Sequence, residues 1–158
     1  MQKFNLTISL EKYDNENELT PIEQQLLAEA RKATYKAYAP YSQFHVGAAI
    51  LLDDGQIITA NNQENAALPS GSCAERSAIF WVGANYPTHT IKSIAVIARP
   101  GSGDTFRGVP PCGACRQAML EYENRQKHPI RLMMVGDDNT VLITDSIADL
   151  LPLRFNEF

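Results

Sequence analysis

A chain of 158 residues with 44% apolar and 20% charged residues has ordinary globular proportions and is long enough for one domain around one sizeable core. Its longest apolar runs, 46–52 and 78–84, fall far short of the roughly 20 residues that span a bilayer as a helix, which excludes a helical membrane protein. Fourteen basic residues against 18 acidic ones leave a net charge of −4 and no basic run to neutralise a phosphate backbone, so a nucleic acid polymer is not the expected partner.

Residues 1–14 alternate charged and apolar side chains without the apolar stretch and cleavage site of a secretory signal. A cytoplasmic location is therefore expected, where three cysteines remain free for packing, metal binding or catalysis. The first clear element is a helix over 21–38. Thr20 supplies an N-cap hydroxyl, Pro21 the first helical position and Glu23 a capping-box carboxylate, and Ile22, Leu26, Leu27 and Ala30 form one apolar face that ends ahead of Pro40. Residues 44–52 read as a strand, Asp53-Asp54-Gly55 as a turn and 56–60 as the returning strand of a hairpin.

After a loop over 61–72, Ala74, Ala78, Ile79 and Val82 recur at helical spacing, which predicts a helix over 73–84. The short apolar run 91–98 has the character of a strand buried on both faces, and the Gly- and Pro-rich stretch 100–111 is a loop. A helix over 112–123, a strand over 130–135 and a short helix over 146–151 capped by Asp145 or Ser146 complete the chain. This order implies a hairpin joined to parallel strands, with helices on both sheet faces.

The chemistry-bearing feature is Cys73-Ala74-Glu75-Arg76 followed by Pro111-Cys112-Gly113-Ala114-Cys115. Each cysteine group opens a predicted helix, where free N–H groups and the positive end of the helix dipole favour a thiolate. Taken alone, a lone cysteine is more often a small buried hydrophobe, and C-x-x-C also suits a redox pair or half of a closed structural zinc site. Three thiolates without a fourth cysteine instead match a catalytic zinc, which keeps three protein ligands and one open position. Glu75, two residues from Cys73, sits where a proton shuttle is needed. Zinc at +2 with three thiolates leaves a charge of −1, which Arg76 offsets by donating to the cysteine sulfurs. His45, His89 and His128 lack ligand spacing to the cysteines, with His45 the reserve candidate for a fourth ligand.

From residue 26 to 155 the chain resembles the small, homotetrameric, three-cysteine cytidine deaminases. The resemblance rests on Tyr38-Ala39-Pro40-Tyr41-Ser42, the strand from Phe44 to Ala49, Asn62-Gln63-Glu64-Asn65-Ala66, the two cysteine motifs through Gln117, and Leu150-Leu151-Pro152 with Phe155, in the family's order. It implies a single three-layer α/β/α domain over residues 1–158 around a mixed five-stranded sheet, with residues 1–20 an arm outside the resemblance. It implies one Zn2+ per subunit held by Cys73, Cys112 and Cys115, and Glu75 as the acid/base that takes a proton from the attacking water and delivers protons to the base's N3 and the departing ammonia. Phe44 then stands beside the pyrimidine, Asn62 and Glu64 bind the ribose 3′-hydroxyl, Ala74 offers its N–H and Pro110 its carbonyl to the base, and Phe155 reaches a neighbouring subunit's site. Without the zinc motif, Asn62 and Glu64 read as a polar loop and the two phenylalanines as core aromatics. Two positions depart from the family pattern: Leu68 stands where many relatives have tyrosine, and Pro110 replaces a serine or threonine.

The implied activity is hydrolysis of cytidine and 2′-deoxycytidine to the uridines and ammonia in pyrimidine salvage, acting on a free nucleoside and with no membrane partner. The alternatives are a related deaminase of another aminated nucleoside, such as a blasticidin-type antibiotic, and a non-catalytic protein with a structural zinc closed by His45. Polynucleotide editing ranks behind both, because the acidic balance suits a free nucleoside better than a strand.

Overall fold

The computed structural model describes residues 1–135 and 140–155. In chain order the elements are β1 (Glu11–Tyr13), α1 (Pro21–Thr34), β2 (Phe44–Leu52), β3 (Ile57–Asn61), α2 (Ala74–Asn85), β4 (Ile91–Pro100), α3 (Gly113–Gln126), β5 (Arg131–Val135) and β6 (Val141–Thr144), with 3₁₀ turns at Glu16–Glu18, Leu68–Ser70 and Ile147–Leu150. One mixed sheet runs in the order β1-β6-β5-β4-β2-β3, and helices cover both faces, giving the three-layer α/β/α architecture. No helix among the described residues is long and apolar enough to cross a membrane.

The sheet has six strands rather than five. The two strands without a counterpart among the predicted elements are short: β6 carries four residues, and β1 is a three-residue segment, Glu-Lys-Tyr, with no apolar signal of its own. β1 exists because it pairs with β6 and because Arg131 on β5 bonds Glu11. The last predicted helix is a single 3₁₀ turn, whose N-cap Ser146 accepts a hydrogen bond from the Ala148 N–H. α1 stops at Thr34 instead of 38, because Tyr38 pairs with another segment: its N–H donates to the Asn62 carbonyl (3.0 Å) and its carbonyl accepts from the Glu64 N–H (2.8 Å).

Strand polarity fixes where the helices begin. β2 lies between β3 and β4 and is antiparallel to both, so β3 and β4 run in the same direction, and β5 is parallel to β4. α2 connects β3 to β4 and α3 connects β4 to β5, and both pack on the same sheet face. Their N-termini therefore emerge at one edge, beyond the carboxyl ends of the strands, where open α/β sheets place their ligand sites.

β4 shows the alternation of a strand buried on both sides. Ile94 and Val96 face α2 and α3 with Ile50, Ile79, Met119 and Leu132, whereas Ala95 and Ile97 face α1 with Leu26, Leu27 and Ala30. α1 lies so close to β2 that a Cβ on Gly47 would stand 2.0 Å from the Ala30 carbonyl oxygen, so glycine is required there. Full burial of side chains such as Leu26 and Leu27 contributes about 1.5–3 kcal/mol each.

At the foot of α1 the Glu23 carboxylate accepts from the N–H and hydroxyl of Thr20 (3.0 and 2.6 Å) and from Arg131 Nε (3.1 Å). Partial burial pushes its pKa upward, but these bonds outweigh that and hold it below the ordinary carboxylate value. A folded-state pKa below the unfolded one means that the stability is fully present above the unfolded value and is lost as pH falls through the folded value. Glu23→Gln is expected to destabilise the protein by about 1 kcal/mol at neutral pH. The difference should close as pH falls below 4.5, the ordinary carboxylate value. Urea unfolding across pH measures this, and a gap that persists in acid refutes the assignment.

Candidate active site

The two cysteine motifs occupy the two helix starts that the topology brings together. Cys73 is the N-cap of α2 and Cys112 the N-cap of α3, both with extended backbone, and neither thiol makes a capping hydrogen bond. Cys115 follows in the first turn of α3 and is buried. The three Sγ atoms lie within 4.8 Å of one another. Serine or aspartate at these caps would stabilise each helix by about 1 kcal/mol, so the cysteines are placed there at some cost to the fold.

The donor set suits a zinc ion. The Cys115 thiol donates to the Cys73 sulfur and, against the opposing effect of burial, brings the Cys73 pKa down to about 5. Cys115, as that donor and itself buried, is pushed far up. Arg76 adds a cation: its Nη2 donates to the Gly71 carbonyl (3.1 Å), and its Nε is a buried nitrogen with no hydrogen-bond partner beside the lowered Cys73 thiol. Three converging soft ligands with a balancing arginine are what zinc takes in a site with an open position. His45 is not a fourth member: its Nδ1 lies 3.3 Å from the Arg99 carbonyl, and the cluster among the described residues holds the three cysteines alone.

Beside the cysteines opens a cavity of about 410 Å³. Glu75, the second residue of α2 and only 5% exposed, lines it together with Cys73 and Cys112. Burial raises the Glu75 pKa, and the neighbouring Cys73 charge adds to the effect. Phe44 and Val46, two residues apart and so on the same face of β2, supply the apolar wall, with Val109 and Pro110 from the long loop. Asn62 and Glu64, which follow β3, supply the polar wall. Asn62 behaves like an extra strand partner of β2: its Oδ1 accepts from the Val46 N–H (2.8 Å) and its Nδ2 donates to the Phe44 carbonyl (2.9 Å).

The fold thus collects Cys73, Cys112, Cys115, Glu75, Phe44, Asn62, Glu64 and Pro110 at one place. Four of the predicted residues do not line the cavity: Cys115 completes the sulfur cluster behind it, Arg76 stands beside Cys73, and Ala74 and Phe155 lie elsewhere. The Ala74 side chain is fully buried in the core, and Phe155 is 64% exposed, with its carbonyl accepting from Gln117 Nε2 (2.9 Å). Leu68 is also exposed, on the 3₁₀ turn before α2. Sequence reasoning gave no role to Ser42, Val46 and Val109, all of which line the cavity. Ser42 could have been found from its adjacency to Phe44, whereas Val109 carries no signal of its own. Arg116 ties this region together: its Nε donates to the Pro111 carbonyl (2.8 Å) and its Nη1 to the Leu150 carbonyl (3.2 Å).

Residues 21–128 match the family model described as "Cytidine and deoxycytidylate deaminase zinc-binding region". A cytidine deaminase from Halalkalibacterium halodurans is 48% identical over 132 residues, covering 84% of this chain and 92% of that one. The crystal structure of a cytidine deaminase from Burkholderia pseudomallei superposes with a TM-score of 0.71 at 36% identity, covering 87% of this chain and 100% of that one. A blasticidin-S deaminase from Bacillus cereus is 31% identical over 139 residues, covering 85% of this chain and 94% of that one.

Purified protein is expected to carry about one zinc per chain, and Cys115→Ser to lose it, since three ligands leave none to spare. Metal analysis after gel filtration checks this, and full zinc occupancy in the variant refutes it.

Proposed function

The chain belongs to the cytidine and deoxycytidylate deaminase family, and from that premise we propose that it hydrolyses cytidine and 2′-deoxycytidine to uridine and 2′-deoxyuridine with release of ammonia. The observation that carries the reading is a buried carboxylate, Glu75, lining the same cavity as two members of a three-cysteine cluster. Cys73, Cys112 and Cys115 hold zinc. Bound there, zinc supplies the Lewis acidity that makes water a nucleophile at neutral pH.

The remaining work belongs to this chain's own side chains. Glu75 takes a proton from the attacking water on a carboxylate oxygen, and burial, which raises its pKa, favours its accepting and holding that proton until it is passed on. It passes the proton to N3 of the pyrimidine as the C4–O bond forms, then carries a second proton to the amine as the C4–N bond breaks and ammonia leaves. Phe44 lies against the pyrimidine, the Ala74 N–H and the Pro110 carbonyl bind its polar edge, and Asn62 with Glu64 bind the ribose 3′-hydroxyl. An anionic acceptor at that hydroxyl disfavours a 3′-phosphate, which supports a free nucleoside over a strand. The lower identity to the blasticidin-S deaminase supports the pyrimidine nucleoside over that antibiotic.

The reading includes a cytoplasmic homotetramer in which Phe155 of one subunit completes a neighbour's site. The exposure of Phe155 away from its own chain's cavity supports this. Placement in pyrimidine salvage follows from the products.

Zinc-loaded wild-type protein is expected to release ammonia from cytidine, and light scattering should give the mass of four chains. Glu75→Ala should keep fold and zinc while kcat drops by about 10²- to 10⁴-fold. Wild-type-like turnover in the variant overturns the assignment of Glu75, a monomer in solution overturns the shared site, and an inert wild type overturns the substrate.

A further inference from the structure

The turn that leads into β2 holds the Glu64 carboxylate on three donors. Glu64 Oε2 accepts from the N–H groups of Tyr41 (2.9 Å) and Ser42 (3.2 Å), and Oε1 accepts from the Ser42 hydroxyl in a short bond. Ser42 Oγ in turn accepts from the Phe44 N–H (3.0 Å). A hydroxyl has one proton. With the Phe44 N–H on its lone pair, that proton is directed to Glu64. Ser42 therefore links the residue of the apolar wall to the carboxylate of the polar wall.

The backbone around it is fixed for this purpose. Gln43, between Ser42 and Phe44, has φ 54°, the left-handed region that a side chain other than glycine's disfavours. It is held there by its N–H to the Ala39 carbonyl (3.1 Å), its carbonyl to the Gly101 N–H (2.7 Å) and its side-chain Nε2 to the Pro40 carbonyl (3.1 Å). Such strain persists only where the surroundings over-determine it. The consequence is a carboxylate oriented by three donors, with lone-pair capacity left for one further donor.

We infer that Ser42 is a positioning residue of the deaminase site, whose hydroxyl, oriented by the Phe44 N–H, aims the Glu64 carboxylate at a hydroxyl of the substrate's sugar. The inference rests on the reading of Glu64 as a sugar-binding group. The bond also favours the ionised form of Glu64, whose pKa lies below the ordinary value with the Ser42 hydroxyl as the main cause. An ionised carboxylate accepts only, so the group it selects is a donor.

The test compares cytidine with 2′,3′-dideoxycytidine, which lacks both ring hydroxyls, using the full-length, zinc-loaded enzyme. Ser42→Ala is expected to raise KM for cytidine about tenfold with kcat little changed, the loss typical of one hydrogen bond to a charged group. The preference for cytidine over the dideoxy substrate should shrink by the same factor. Ser42→Thr, which keeps the hydroxyl, should recover most of both. Ser42 is exposed, so the variants are expected to fold. Equal losses on the two substrates, an unchanged preference, or a threonine variant as impaired as the alanine one overturns the role of Ser42. A wild-type enzyme that deaminates cytidine without preferring the ring hydroxyls overturns the Glu64 reading beneath it, and one inert on cytidine overturns the deaminase reading itself.

Discussion

The whole site depends on one topological constraint, the common direction of β3, β4 and β5. Because β2 is antiparallel to both of its neighbours, the connections through α2 and α3 must each cross back over the same sheet face. Two helix N-termini then meet at one edge with their free N–H groups and dipoles directed at the same point. Anions are favoured at such a point, and the chain supplies them as cysteine sulfurs at the two caps and in the first turn of α3. The same geometry buries Glu75, since a residue just inside α2 cannot avoid the space between the helices. Neither helix alone could gather three sulfurs within 4.8 Å.

This arrangement opposes stability in several small ways. Two helices lack a capping side chain, Arg76 Nε is buried without a hydrogen-bond partner, Glu75 is buried and Gln43 is held left-handed. Each such feature costs on the order of 1–3 kcal/mol. The compensation lies in other parts of the molecule. On the far face, α1 packs onto β2 at Gly47 with its leucines fully buried. At the far end of α3, the buried Glu123 carboxylate accepts from the N–H groups of Ile130, Ile147 and Ala148 and from the Ser146 hydroxyl, at 2.6 to 3.2 Å. That single side chain anchors both the entrance to β5 and the start of the C-terminal turn. A charge buried with four donors around it is satisfied, whereas Arg76 is left so that its charge faces the sulfurs.

What could be read from sequence follows from the range over which each signal acts. The hydrophobic periods of α1, α2 and β2 and the cysteine spacing are local, and they placed those elements to within a few residues and singled out the three cysteines that the fold brings together. β1 and β6 are stabilised by cross-strand pairing and by Arg131, partners far away in sequence, so three or four residues carried no pattern to detect. Phe44 could be assigned a face by alternation but not a neighbour, since the cavity it lines is closed by Val109 and Pro110 from a loop more than 60 residues away. The position of Phe155 is silent in another way: its ring does not line the cavity and is largely exposed, while Gln117 holds its backbone, and no local pattern in the sequence specifies that placement.

The early end of α1 connects these observations. Helix propensity and the position of Pro40 would let the helix continue for another turn, and four residues of intrahelical bonding are given up. In exchange Tyr38 forms a backbone bridge with the 62–64 segment, its N–H on the Asn62 carbonyl and its carbonyl on the Glu64 N–H. The two polar residues of the cavity wall are thus held by their main chains, leaving their side chains to bond β2 and the 41–42 turn. A polar wall anchored in this way presents acceptors whose directions are set before any ligand arrives, which reduces the ordering cost of recognition. The truncated helix is therefore better understood as part of the binding wall than as an imperfection of α1.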